Sequence, residues 1–167
     1  MTSTTVERFM RQQGFRDEEP ARSRWHFRAL FFQPSIVGPL MVVAIIFQSR
    51  MLFFVLATVL AWNVAIPKLN PFERFYDLAI GRRKGMPPIE PAPAPRRFAQ
   101  GMAAVFMFVA GLALSFDWRV IAYVFEIGLV IAFTALLGGR FCLGAYLFHL
   151  MRGRTDFAKA TCPWSHE

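Results

Sequence analysis

Apolar residues dominate two stretches of the chain, 36–66 and 98–137, and a few polar residues interrupt each stretch once near its middle. Gln48, Ser49 and Arg50 break the first; Asp117, Trp118 and Arg119 break the second. The pattern predicts four apolar helices paired as two hairpins, with about 16 to 20 residues in each run. That is near the lower end of what crosses a ~30 Å hydrocarbon core at ~1.5 Å of rise per residue. A soluble domain of 167 residues has no interior large enough to hide four such runs, whereas a bilayer accepts them. The expected fold is all-α and membrane-embedded, with four transmembrane helices as two hairpins (34–66 and 98–151). An interfacial N-terminal arm (1–33), a basic proline-rich connector (67–97) and a short tail (152–167) complete it.

The polar segments carry their own local signals. In the connector, Asn70 offers an N-cap, Pro71 the first helical position and Glu73 an acid in the first turn. Phe72, Phe75, Tyr76, Ala79 and Ile80 follow at helical spacing, Gly81 is placed to stop the helix, and Arg82, Arg83 and Lys84 sit at its negative end. This predicts a short helix over 71–80 lying in the interface, anchored by Phe72, Phe75 and Tyr76. Pro87, Pro88, Pro91, Pro93 and Pro95 predict an extended, stiff link to the second hairpin. In the arm, Thr4 and Glu7 have capping-box spacing before a short helix. Trp25 and the rings around it, mixed with Arg28, read as an anchor at headgroup depth.

Charge sets the orientation. The net charge is +8, with six Arg before the first span, seven Lys or Arg between the hairpins, four after the last span and one at each hairpin tip. By the positive-inside rule both termini and the connector are cytoplasmic. The basic excess then meets anionic lipid headgroups rather than nucleic acid. No cleavable leader is apparent in the first 33 residues, so the first span is expected to serve as an uncleaved insertion signal. Cys142 and Cys162 both fall on the cytoplasmic side, where thiols stay reduced.

Three motifs, in order, carry a resemblance. Asn63 to Phe72 (NVAIPKLNPF) closes the first hairpin, Pro95 to Gln100 (PRRFAQ) opens the second, and Phe141 to Leu147 (FCLGAYL) follows it. The stretch from about residue 36 to 153 resembles a family of small bacterial membrane proteins known as domain of unknown function 4395. The resemblance implies a fold and a bacterial inner membrane but no activity. Many relatives carry a second cysteine three residues after the first, which implies thiol-redox chemistry; this chain has Ala145 at that position.

Among residues able to carry chemistry, Glu126 is the one carboxylate inside a span, and a charge there is costly. Pairing with Arg119, Tyr123 or a facing helix is favoured over ion translocation, because no other span offers a second acid. Gly128, Ala132, Ala135 and Gly139 form a small-residue seam suited to close helix packing. The seam lies about 160° around the helix from Glu126, which leaves the bulkier face of Phe125, Leu129 and Phe133 around Glu126 toward lipid, a partner protein or a pigment. A break is expected near Gly138, Gly139 and Arg140, since a helix from 119 to 151 is too long for one upright span. Cys142, Tyr146 and His149 share one face at helical spacing. Cys142 is read as lying inside that helix, with Arg140 turned about 200° away, and hence as a buried, inert thiol. Cys162 and His166 could join Cys142 and His149 only with spacings that match no standard zinc signature. No metal or cofactor is expected, nor is any phosphate loop, carboxylate pair or catalytic triad recognisable.

These features favour a small, non-enzymatic membrane protein, an accessory or assembly subunit packed against other membrane subunits. A membrane thiol or sulfur-redox protein built on Cys142 is the alternative. A small transporter involving Glu126 is the third reading.

Overall fold

The computed structural model describes residues 3–15, 20–85 and 89–162. These residues are almost entirely helical, with no strand among them. Eight α-helices follow in order: α1 (Ser3–Gln13), α2 (Pro20–Ile46), α3 (Arg50–Ala65), α4 (Pro71–Tyr76), α5 (Ala94–Ser115), α6 (Arg119–Leu137), α7 (Leu143–Met151) and α8 (Thr155–Ala160). Three segments are long and apolar enough to cross a membrane: Ser23–Ile46, Ala94–Ser115 and Arg119–Leu137. The fourth apolar helix, α3, has 16 residues, or about 24 Å at ~1.5 Å each.

Each predicted interruption is a tight turn. Residues 47–49 join α2 to α3, where Ser49 caps α3 by accepting the Leu52 N–H at 3.3 Å. Residues 116–118 join α5 to α6, with Asp117 at φ +57°. Helix α5 is the centre of the bundle and lies against α1, α3, α6 and α7. The main core takes Val37 and Met41 from α2, Phe53, Leu56 and Leu60 from α3, Met107 from α5, and Leu129 and Phe133 from α6. Gly111 admits α3 closely, since a Cβ there would stand 3.2 Å from that of Phe53 and 3.3 Å from the Arg50 carbonyl.

Several boundaries differ from the sequence expectation. Residues 20–33 are not a separate arm but the first turns of α2, which continues through Pro34 and Pro39. Residues 94–97 likewise belong to α5, where Pro95 suits the first turn because no N–H is needed there. Asn70 caps α4 as expected, its side-chain oxygen accepting the N–H of Phe72 and of Glu73. Gly81, however, does not stop the helix. The chain passes through a π turn at Asp77–Gly81 and a 3₁₀ turn at Arg82–Lys84, ending only at Gly85 with φ +62°. Gly81 serves packing instead, because a Cβ there would stand 3.2 Å from the Trp25 ring. The short N-terminal helix is present as α1, which buries Val6, Phe9 and Met10 against α2 and the start of α7. Its Thr4 side chain lies outside the described residues, as do Pro87, Pro88 and His166.

Candidate functional site

A buried polar cluster forms where the first turns of α5 meet α2, α4 and α7. Arg96 is 6% exposed, and its Nη2 donates to Glu73 Oε1 at 3.2 Å and to the Leu30 carbonyl at 3.4 Å. Burial pushes the Glu73 carboxyl above its ordinary value, and the Arg96 guanidinium pulls it part of the way back. One turn along α5, Gln100 Nε2 donates to Gln33 Oε1 at 3.0 Å, and Asn70 Nδ2 donates to the same oxygen at 3.1 Å. Arg97 points the other way and donates twice to the Val64 carbonyl, at 2.8 and 3.1 Å. There a cation meets the negative end of α3. The connector's cations are thus not all surface charges, and Arg96 does structural work in the interior.

Beside this cluster is a cavity of about 120 Å³, walled mainly by apolar side chains of α2, α5 and α6. Its polar lining is Gln13, Gln33, Arg96, Gln100 and Cys142. The expected break is present: α6 ends at Leu137, Arg140 takes φ +50°, and α7 restarts at Leu143. Cys142 is therefore the N-cap of α7, not a residue within a helix, and Arg140 is not related to it by helical rotation. The expected place of Cys142 within a helix, and with it the rotation from Arg140, is corrected here; the thiol itself is buried. The Cys142 N–H donates to Gln12 Oε1 at 3.0 Å. The Gln12 carbonyl lies 3.0 Å from His149 Nε2. A carbonyl only accepts, so His149 carries its proton on Nε2. Cys142 and His149 thus meet through α1, while Tyr146 packs its ring on Phe141, 5.4 Å away, and does not line the cavity.

Other predicted residues fall elsewhere. Glu126 is buried, but its partner is Gln48 on the α2–α3 turn, whose Nε2 reaches both carboxylate oxygens at 3.1 and 3.2 Å. Arg119 instead bonds the exposed Asp117 at 2.9 Å. The faces of α6 are the reverse of the expectation: Ala122, Glu126, Leu129 and Phe133 are its buried residues. The seam is only partly packed. Gly128 abuts the Phe106 ring, Ala132 lines the cavity, Ala135 is half-buried, and Gly139 is exposed beyond the end of the helix. On the inner side of α6 the side chains of Leu129 and Phe133 fill the main core. Trp25 and Tyr76 are buried against each other with centroids 5.1 Å apart, and Phe72 packs on the main core. Of the proposed interfacial anchors, Phe75 alone faces outward, 62% exposed. Among the described residues no group of three or more His, Cys, Asp or Glu stands close enough to hold a metal ion.

The residues missed by sequence reasoning are Arg96, Glu73, Gln33, Gln100, Gln12 and Gly144. Gly144 sets α7 directly on α5, since a Cβ there would come within 2.6 Å of the Ala99 backbone. A signal existed. The three motifs that carry the resemblance converge here: the first supplies Asn70, the second Arg96, Ala99 and Gln100, and the third Cys142 and Gly144.

This geometry defines an all-helical protein with helices apolar and long enough to cross a membrane, and with a polar-lipped cavity between them. The chain belongs to the family described as Domain of unknown function (DUF4395), which matches residues 28–152. No curated protein and no solved structure matches.

Proposed function

We propose that this is a multi-pass protein of the bacterial inner membrane that binds a small molecule in the α2–α5–α6–α7 cavity, with Cys142 as the reactive group of the site. All four long helices cross as two hairpins with both termini cytoplasmic; local bilayer thinning accommodates the short α3. The observation that supports this reading is the place of Cys142, at the start of α7 and lining the same cavity as the buried Arg96. The start of a helix is a recurring position for reactive thiols. Ala145, fully buried, stands where the family's second thiol is expected, so the chemistry invoked is that of one thiol and not of a dithiol pair. The test uses protein with Cys162→Ser in lipid nanodiscs and the small reagent methyl methanethiosulfonate at pH 7. An activated site thiol reacts faster in the folded protein than in denaturant, whereas a merely buried one is released by unfolding. Faster reaction after denaturation refutes the reading.

A second reading, an accessory subunit of a larger membrane assembly, draws on α6. Val120, Val124, Ile127 and Ile131 form an outward apolar stripe, each more than half exposed. Purification in a mild detergent with a stoichiometric partner seated on that stripe supports it, and loss of the partner on Val124→Trp locates the contact.

A further inference from the structure

Arg96 and Gln100 occupy positions i and i+4 of α5, hence one face of the helix, and both line the cavity. Arg96 is 6% and Gln100 9% exposed, yet Arg96 Nε and Gln100 Oε1 are buried with no hydrogen-bond partner among the described residues. The orientation of the Gln100 amide is determined by its neighbour. Its Nε2 donates to Gln33 Oε1, which already accepts from Asn70, so flipping the amide would set oxygen against oxygen. One donor and one acceptor therefore remain without partners on two side chains that line a mainly apolar chamber. A buried polar atom without a partner is costly, and two of opposite kind on one helix face match a single group that both accepts and donates.

The charge balance narrows the ligand. Arg96 is already paired with the buried Glu73, so an anionic ligand would add an uncompensated charge to the interior. The chamber volume of about 120 Å³ is comparable to engineered apolar cavities of ~150 Å³ that bind benzene. We infer that the cavity takes a neutral, membrane-soluble alcohol or phenol, whose oxygen accepts from Arg96 Nε, whose O–H donates to Gln100 Oε1, and whose ring or chain fills the apolar end. This rests on the cavity being the functional site and not on the reactivity of Cys142.

The experiment follows ¹⁹F NMR shifts of three probes titrated into nanodiscs carrying the full chain: 4-fluorophenol, 4-fluorotoluene and 4-fluorobenzoate. Empty nanodiscs subtract lipid partitioning. The expected result is a saturable shift for 4-fluorophenol, at least tenfold weaker binding of 4-fluorotoluene, and no saturation with 4-fluorobenzoate at pH 7. Gln100→Leu should weaken 4-fluorophenol about tenfold, the order of one hydrogen bond. Ala103→Leu, which narrows the apolar end without touching the polar cluster, should abolish saturation, and it decides the matter if Gln100→Leu does not fold. Equal binding of the phenol and the toluene, preference for the benzoate, or no saturation by any probe (the two atoms then being served by water) overturns the inference. Cys142→Ser should leave the phenol shift intact whatever the thiol-reagent test shows, so failure of one proposal is distinguishable from failure of the other.

Discussion

Replacing Arg96 by Met removes the guanidinium that lies 3.2 Å from Glu73 and leaves a carboxyl only 6% exposed without its ion-pair partner. Taking one member from a buried pair costs about 3–5 kcal/mol. At ~2–4 °C per kcal/mol for a chain of this size, the melting temperature should fall by roughly 6–20 °C at neutral pH. The loss has a defined pH dependence. Burial holds Glu73 above the ordinary 4.5, and Arg96 is the main influence pulling it down; without Arg96 it rises further. The folded variant then keeps a proton that the unfolded chain releases, so its stability declines as pH climbs from about 4.5 through the raised native value. Below that window the carboxyl is neutral in both states and the penalty shrinks. Thermal unfolding in detergent, followed by tryptophan fluorescence from pH 4.5 to 8, reads both effects. Arg96→Met/Glu73→Leu should recover most of the stability, because an apolar pair of similar size replaces a buried ion pair at little cost. It should also lose the pH slope of the single variant. A single variant as stable as the parent at pH 7.5, or a double variant no better than the single, refutes the argument.

Gly144→Ala should lower thermal stability by about 1–3 kcal/mol, the usual cost of overpacking, because its Cβ would meet the Ala99 backbone at 2.6 Å; an unchanged melting curve would show that α7 does not seat on α5 in this way. Gln48→Leu strips Glu126 of its donor and should cost about 1–3 kcal/mol, with Gln48→Leu/Glu126→Leu regaining most of it; equal melting of both variants would mean the pair is not coupled. For the topology, single cysteines at Phe47 and Phe116, on the two turns, should react with an impermeant maleimide in intact cells of a Cys142→Ser/Cys162→Ser strain, while one at Arg83 should not. Labelling at Arg83 reverses the orientation.

What the sequence made legible were features written in local runs. The apolar stretches, the polar tips, the Asn70 cap and the break after Leu137 each depend on a few neighbouring residues, and the structure has all of them. What it hid depends on tertiary contacts. Arg96 belongs to a basic run that reads as a topology signal, and only the approach of α4 shows that Glu73 neutralises it inside. On α6, small residues and bulky residues lie on opposite faces, and periodicity alone does not say which face turns inward. Trp25 and Tyr76 have the composition of headgroup anchors, yet each is the surface the other needs, so they are buried together. The location of the break was readable, but not that the next helix would begin immediately after Cys142.

The family match starts at residue 28, but the wall of the cavity starts earlier, with Phe9 and Gln13 of α1. Gln12 alone binds both the Cys142 amide and the His149 ring. Part of the chamber's lining is therefore encoded ahead of the residues that the family match covers. A change in the first fifteen codons can alter what the chamber admits without touching a single residue of the three long apolar helices.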